Sequence, residues 1–369
     1  MNAKSHNKDL SNTRQHFELL DGLRGVAAVA VVIFHFMEFV FPDYKDNFIS
    51  HAYLAVDFFF CLSGFVIAYA YDSKISKLGF FNFLGLRLVR LHPLVIVGSL
   101  IGLAAFVFDP FSTLFQAHAD QTLLMFIASC LMIPYPLVTE RYFNLFHLNP
   151  PTWSLFWEYV ANIAYAIYLF KIRQKGLWIL TISAAIILFY TASSYKFLGV
   201  GFGGDNFLAG GARVFYSFLA GILVYRLNWK IKNNLSFSTM ALLLLIAFLF
   251  PFWEQANWLI DPLIVVFYFP FLVVLGSSGP RVKPAYSRVC RFSGDISYPL
   301  YMIHYPFLWI FLSYIQKHKP LRSEMWLITI IGVVFLVSLA YYLMVWVDIP
   351  FRNYLKRKLA NGHTLAFRK

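Results

Sequence analysis

Charge is scarce in this 369-residue chain: 13% of its residues are Asp, Glu, Lys or Arg, about half of what a soluble domain carries. That scarcity excludes an ordinary water-exposed globular domain. Cysteine is scarce too. Cys61, Cys130 and Cys290 are odd in number, far apart, and in or next to apolar stretches, which speaks against a disulfide framework and against a metal site. Acidic residues are outnumbered 18 to 31 by Lys and Arg, for a net charge of +13. The basic residues fall in short segments between apolar runs, so they read as topology signals and not as a nucleic-acid patch. No small-residue cleavage site follows the polar residues 1–18, and no processing is expected. There is no internal repeat of the kind many transporters carry. The glycine-rich LGVGFGGDNFLAGG lacks both a preceding strand and a GK[ST] ending, so it reads as a loop and not as a phosphate cradle.

What the chain has in quantity is apolar surface: 59% hydrophobic and 20% aromatic residues, with a mean hydropathy of +0.63. The fold class that follows is all-α, a polytopic transmembrane helical bundle. Spans are expected at 19–40, 52–71, 91–108, 150–170, 177–195, 214–227, 237–252, 259–276, 296–315 and 325–347, about ten crossings at about 20 residues each. The apolar stretch 123–138 is short and closed by Pro134 and Pro136, so an interfacial or re-entrant segment is expected there. With this count only Lys45, Arg141, Lys196, Arg213, Lys317, Lys319 and Arg322 of the 31 basic residues fall on one side. Both termini are then expected to be cytoplasmic. The chain divides into a cytoplasmic N-terminal segment 1–18, a transmembrane domain 19–349, and a basic tail 350–369 suited to lying on anionic lipid.

The polar groups inside the spans carry the chemistry. The first run, about 33 Å long as a helix, holds Asp21, Arg24, His35 and Glu38. Arg24 and His35 return to nearly the same face. An ionisable stripe in a membrane helix reads as a functional site, although Asp21 and Arg24 near an interface could also serve as helix glue. The second span holds Asp57 and Ser63. RLVRLHP places Arg87 and Arg90 three residues apart, just before a helix with Pro93 in its first turn. Guanidinium groups beside a helix N-terminus suit phosphate, and positive-inside topology accounts for the same charges equally well. Ser154, Glu158 and Asn162, spaced by four, form one stripe, with Glu158 needing a partner in either an arginine or the histidine. Ser297, Tyr301 and His304 share a face of the ninth span, where Pro299 and Pro306 are expected to break helix regularity. Hydrogen bonding between helices would explain that stripe as well as catalysis does.

In order along the chain, five motifs resemble the acyltransferase 3 family of integral-membrane O-acyltransferases, which acylate bacterial surface glycans such as polysaccharide and lipopolysaccharide. They are DGLRG followed by His35, FFFCLSGF, RLVRLHP, TWSLFWE with Glu158, and ISYPLYMIHYP. Departures are small: Met302 replaces a leucine, and Asp348 stands where glutamate is more common. The resemblance implies a multi-pass protein of the bacterial inner membrane that moves an acyl group from acyl-CoA, acetyl-CoA being the expected donor, to a hydroxyl of an exported carbohydrate. His35 would act as general base or as acyl carrier, with Glu158 as the second catalytic residue. Arg24, Arg87 and Arg90 would hold the donor. Asp21, Ser63, Ser154, Tyr301 and His304 would orient the substrates. Partners are then membrane lipid, the carbohydrate acceptor and acyl-CoA, with no nucleic acid and no metal. The rival class is a proton-coupled transporter or flippase of a glycan-related substrate.

Overall fold

The computed structural model describes residues 17–279 and 282–366. Its helices longer than two turns are α1 (Glu18–Val40), α2 (Ala55–Tyr71), α3 (Phe80–Val107), α4 (Thr122–Cys130), α5 (Thr152–Ile167), α6 (Gln174–Tyr195), α7 (Phe207–Arg226), α8 (Phe237–Phe248), α9 (Asn257–Ser278), α10 (Pro284–His318) and α11 (Arg322–Lys358). The last helix runs on to Ala366. Among the described residues the β contribution is one isolated bridge, Asn144 to Gly203. Residues 1–16 of the expected N-terminal segment and residues 367–369 of the expected tail lie outside the described residues.

Among the described residues seven helices are long and apolar enough to cross a membrane: α1, α2 with its leading turn from Ala52, α3, α6, α7, α9 and α11. The remaining three expected spans also fold as helices. Of these, α5 has 16 residues and α8 has 12, both short of the usual crossing length. The third, α10, has 35 residues and carries the polar stripe. The stretch 123–138 contains the nine-residue α4, too short to cross.

Three expectations are corrected. The third helix begins at Phe80, so Arg87 and Arg90 lie within it, and Pro93 is an interior residue. No helix N-terminus therefore lies beside the two arginines, although their spacing still puts them on one side of α3. Both Pro299 and Pro306 lie inside the uninterrupted α10, because a membrane helix tolerates proline where neighbours satisfy the freed carbonyls. The glycine-rich segment is irregular only to Asn206; from Phe207 it is helix. Gly210 and Gly211 sit against the indoles of Trp153 and Trp157, and the absent side chains make room for those rings.

Burial separates an inner group from a periphery. The apolar windows of α1, α2 and α7 are 67%, 78% and 72% buried, against 33% for α6 and 22% for α11. Ile179, Ile182 and Ile186 of α6 and Ile330, Ile331 and Val334 of α11 point outward, as lipid-facing residues do. The inner helices cross closely where side chains are missing. A Cβ at Gly25 would fall on Ser293, and one at Gly294 would lie 2.7 Å from Asp21 Cβ, so α1 and α10 meet backbone to backbone. Gly64 and Gly221 do the same for α2 and α7. This is the small-residue packing that membrane helices use in place of a hydrophobic drive, and it gives the glycines of DGLRG and LSGF a structural reason.

Candidate active site

The inner helices enclose two chambers stacked along the bundle. The first, about 190 Å³, is lined by Arg24, Ser63, Arg87, Arg90, Ser154 and Glu158 among others. The second, about 250 Å³, is lined by His35, Glu38, Tyr44, Tyr142, Trp153 and Tyr305 among others. On each shared helix the residues change over in the same sense: Arg24 then His35 on α1, Tyr298 then Tyr305 on α10, Glu158 then Trp153 on α5. Of the expected site residues, Arg24, Ser63, Arg87, Arg90, Ser154 and Glu158 line the first chamber, His35 lines the second and Tyr301 lines both, while Asp21 and His304 lie behind the walls.

In the arginine chamber Glu158 is partnered by an arginine and not by the histidine. Arg87 Nη2 donates to Glu158 Oε1 at 2.8 Å, and Ser63 Oγ donates to the same oxygen at 2.9 Å. Arg24 donates to Asp21 at 3.1 Å and to Ser297 Oγ at 3.1 Å, so Asp21 holds Arg24 and is not itself on the chamber wall. Arg90 has no ion pair among the described residues and faces the chamber. Of the two motif arginines, Arg87 is paired with a carboxylate and Arg90 has no such partner among the described residues.

In the histidine chamber His35 Nδ1 lies 3.2 Å from Glu38 Oε1, without the alignment of a full hydrogen bond. Tyr305 donates to the same carboxylate oxygen at 3.3 Å. A proton on Nδ1, facing the carboxylate, leaves Nε2 as the lone-pair nitrogen, the arrangement a general base requires. His304 stacks on His35 with ring centroids 5.4 Å apart. Its Nδ1 lies 2.8 Å from Tyr301 O, and a carbonyl only accepts, so the proton is on Nδ1 and the buried Nε2 has no partner. Burial and the nearby Glu38 charge push the phenols of Tyr44 and Tyr142 above their usual range, so both remain neutral donors on the chamber wall.

Ser154 Oγ and Tyr301 hydroxyl are 2.8 Å apart. Tyr301 lines both chambers, as does Val56. Sequence reasoning named Ser154 and Tyr301 but gave no role to Glu38, which its spacing of three from His35 made legible, or to Arg213. Arg213 counts as a loop residue in the span pattern, yet it is buried in α7 and bonds Asp57 Oδ2 at 2.6 Å, Val200 O at 2.8 Å and Tyr53 O at 2.9 Å. The signal available was Asp57 itself, because an intramembrane carboxylate calls for a cation.

The acyltransferase domain family matches residues 17–345. A protein described as "Protein 2 in picA locus" from Rhizobium radiobacter is 33% identical over 193 residues, spanning 49% of this chain and 97% of that protein. No solved structure matches.

Proposed function

The chain belongs to the acyltransferase domain family, whose match runs over residues 17–345, and from that premise we propose that it is an O-acyltransferase using acyl-CoA, with acetyl-CoA as donor, and an exported carbohydrate as acceptor. The observation that carries this reading is the pair of stacked chambers, one with an unneutralised arginine and one with a His–carboxylate pair. Coenzyme A is polyanionic, so Arg90, Arg24 and the Glu158-held Arg87 would hold its phosphates at the chamber mouth. A chamber of about 190 Å³ is smaller than drug-sized pockets of about 300 Å³ and above, so it suits the thioester arm and leaves the nucleotide outside.

At the other chamber His35 Nε2 takes the proton of the acceptor hydroxyl as its oxygen attacks the thioester carbonyl. The C–O bond forms, the C–S bond breaks, and the proton passes on to the departing thiolate. Glu38 holds the imidazolium that forms between these steps. An acyl-His35 intermediate is the other form of the same chemistry. Glu158 acts through Ser63 and Arg87 at the donor end. In the membrane the proposal includes about ten crossings, a 19–349 transmembrane domain, both termini in the cytoplasm, and the bacterial inner membrane as its place. The Arg90 end then faces the cytoplasm, where coenzyme A is made. Family membership favours this over a transporter, which would leave the thioester intact.

The test uses membranes containing the protein, labelled acetyl-CoA and a bacterial surface-glycan mixture. Alkali-labile label on glycan is expected with wild type, not with His35→Ala, and at a clearly reduced level with Arg90→Ala at matched protein level and subsaturating donor. Equal labelling by wild type and His35→Ala would overturn the base assignment.

A further inference from the structure

Val56 and Tyr301 line both chambers, and both are nearly buried, each 7% exposed. Tyr301 is fixed from two sides: its hydroxyl pairs with Ser154 Oγ at 2.8 Å, and its ring meets Phe59 edge-on at 5.9 Å between centroids. Ser154 is itself anchored to Pro151 O at 2.9 Å. The wall shared by the two chambers is therefore held in place by a side-chain hydrogen bond.

We propose that Val56 and Tyr301, with Ser154 behind the tyrosine, form a neck that sets the width of the acyl group able to pass from the arginine chamber to His35. This rests on the acyl-transfer reading above. An acyl group attached through its thioester sulfur on the arginine side must enter the neck head first to bring its carbonyl carbon near the base. A linear acyl group presents its chain carbons one at a time ahead of the planar thioester. A group branched next to the carbonyl presents two methyl groups at once and meets the Val56 side chain. Selection is thus by branching rather than by length. Bond changes are those of the proposed transfer: ester C–O formed, thioester C–S broken, the hydroxyl proton delivered to the thiolate through His35.

Two readouts test it. The first compares kcat/KM for isobutyryl-CoA against acetyl-CoA. Val56→Ala is expected to raise that ratio about tenfold or more, the size of discrimination a methyl-scale pocket change gives. Tyr301→Phe, which keeps the ring, is expected to hold the wild-type ratio, and Val56→Phe to stop transfer. The second needs no activity. In a chain with Cys61, Cys130 and Cys290 changed to alanine, Ser63→Cys and Tyr142→Cys report on the two chambers through a charged, membrane-impermeant thiol reagent. Each is expected to label from one face of the vesicle only, and from opposite faces, in the Val56→Phe background as well as in the wild type.

Labelling of both cysteines from the same face would overturn the neck. So would active Val56→Ala enzyme with an unchanged ratio, which would leave the acyl-transfer reading standing. Failure of wild type to consume any thioester would instead overturn that reading, and width selection with it.

Discussion

Glu38 Oε1 lies 3.2 Å from His35 Nδ1, one helical turn further along α1, and accepts a second contact from Tyr305 across the α1–α10 interface. A carboxylate there fixes which imidazole nitrogen carries the proton and stabilises the charge that appears when the other nitrogen acts as base. Glu38→Gln keeps shape and loses charge. It is expected to lower kcat about 10²-fold with little change in KM for the donor, within the range that general-base catalysis contributes. Steady-state kinetics with labelled acetyl-CoA checks this; a raised KM with unchanged kcat would place Glu38 in donor binding instead.

The two motif arginines are expected to separate experimentally. Arg90 has no carboxylate partner among the described residues, so Arg90→Ala should weaken donor binding about tenfold, a loss of about 1.4 kcal/mol, and leave thermal stability unchanged. Arg87→Ala removes the cation from a partly buried Glu158 whose oxygen then keeps Ser63 alone. That variant should lose both donor affinity and stability, and Arg87→Ala combined with Glu158→Gln should recover the stability but not the affinity. Thermal denaturation in detergent beside donor KM distinguishes the two losses.

Asp57 and Arg213 are both buried between α2 and α7, and the guanidinium also lies over an indole, 5.3 Å from the ring centroid of Trp153. Removing one member strands the other charge. Arg213→Met is expected to cost about 3–5 kcal/mol, whereas Arg213→Met with Asp57→Leu should cost far less, because an apolar pair replaces an ion pair at little net loss. Unfolding measurements on the two single variants and the double variant give the coupling directly.

Helix positions were legible because apolar run length is a strong signal, and each of the five motifs falls on a helix that lines one of the two chambers. Where helices begin was not legible. Arg87 and Arg90 look like a cytoplasmic flank by charge, yet α3 extends seven residues before Arg87, through FFNFLGL, and carries both arginines in its interior. Prolines misled for a related reason: Pro299 and Pro306 break helices in water, but α10 is clamped by its neighbours along its length. The division of the site into two chambers was out of reach, because it depends on which way Tyr301 points between α5 and α10, and periodicity gives a face but no neighbour. Arg213 shows the same limit, its partner being 156 residues away in the chain.

His147 gives the chain a stability dependence on pH. It lies in the segment between α4 and α5, 1% exposed, with neither ring nitrogen bonded and its ring stacked on Trp309 at 5.5 Å. Burial, reinforced by the charges of Arg141 and His118, holds its pKa well below the usual histidine value. Burial also lowers His51, in the turn before α2. The folded protein therefore refuses protons that the unfolded chain accepts below about pH 6.5. Above that pH neither state is protonated and the groups have no effect. As pH falls through it, stability is lost at up to about 1.4 kcal/mol per pH unit for each group, until the folded pKa is reached. The melting temperature in detergent is expected to fall between about pH 7 and pH 5. His147→Phe, which keeps the stack on Trp309 and cannot titrate, should flatten that slope without abolishing it, His51 being among the groups that contribute the remainder. An identical slope in wild type and variant would mean that His147 is reached by water or by a hydrogen-bond partner in the protonated state.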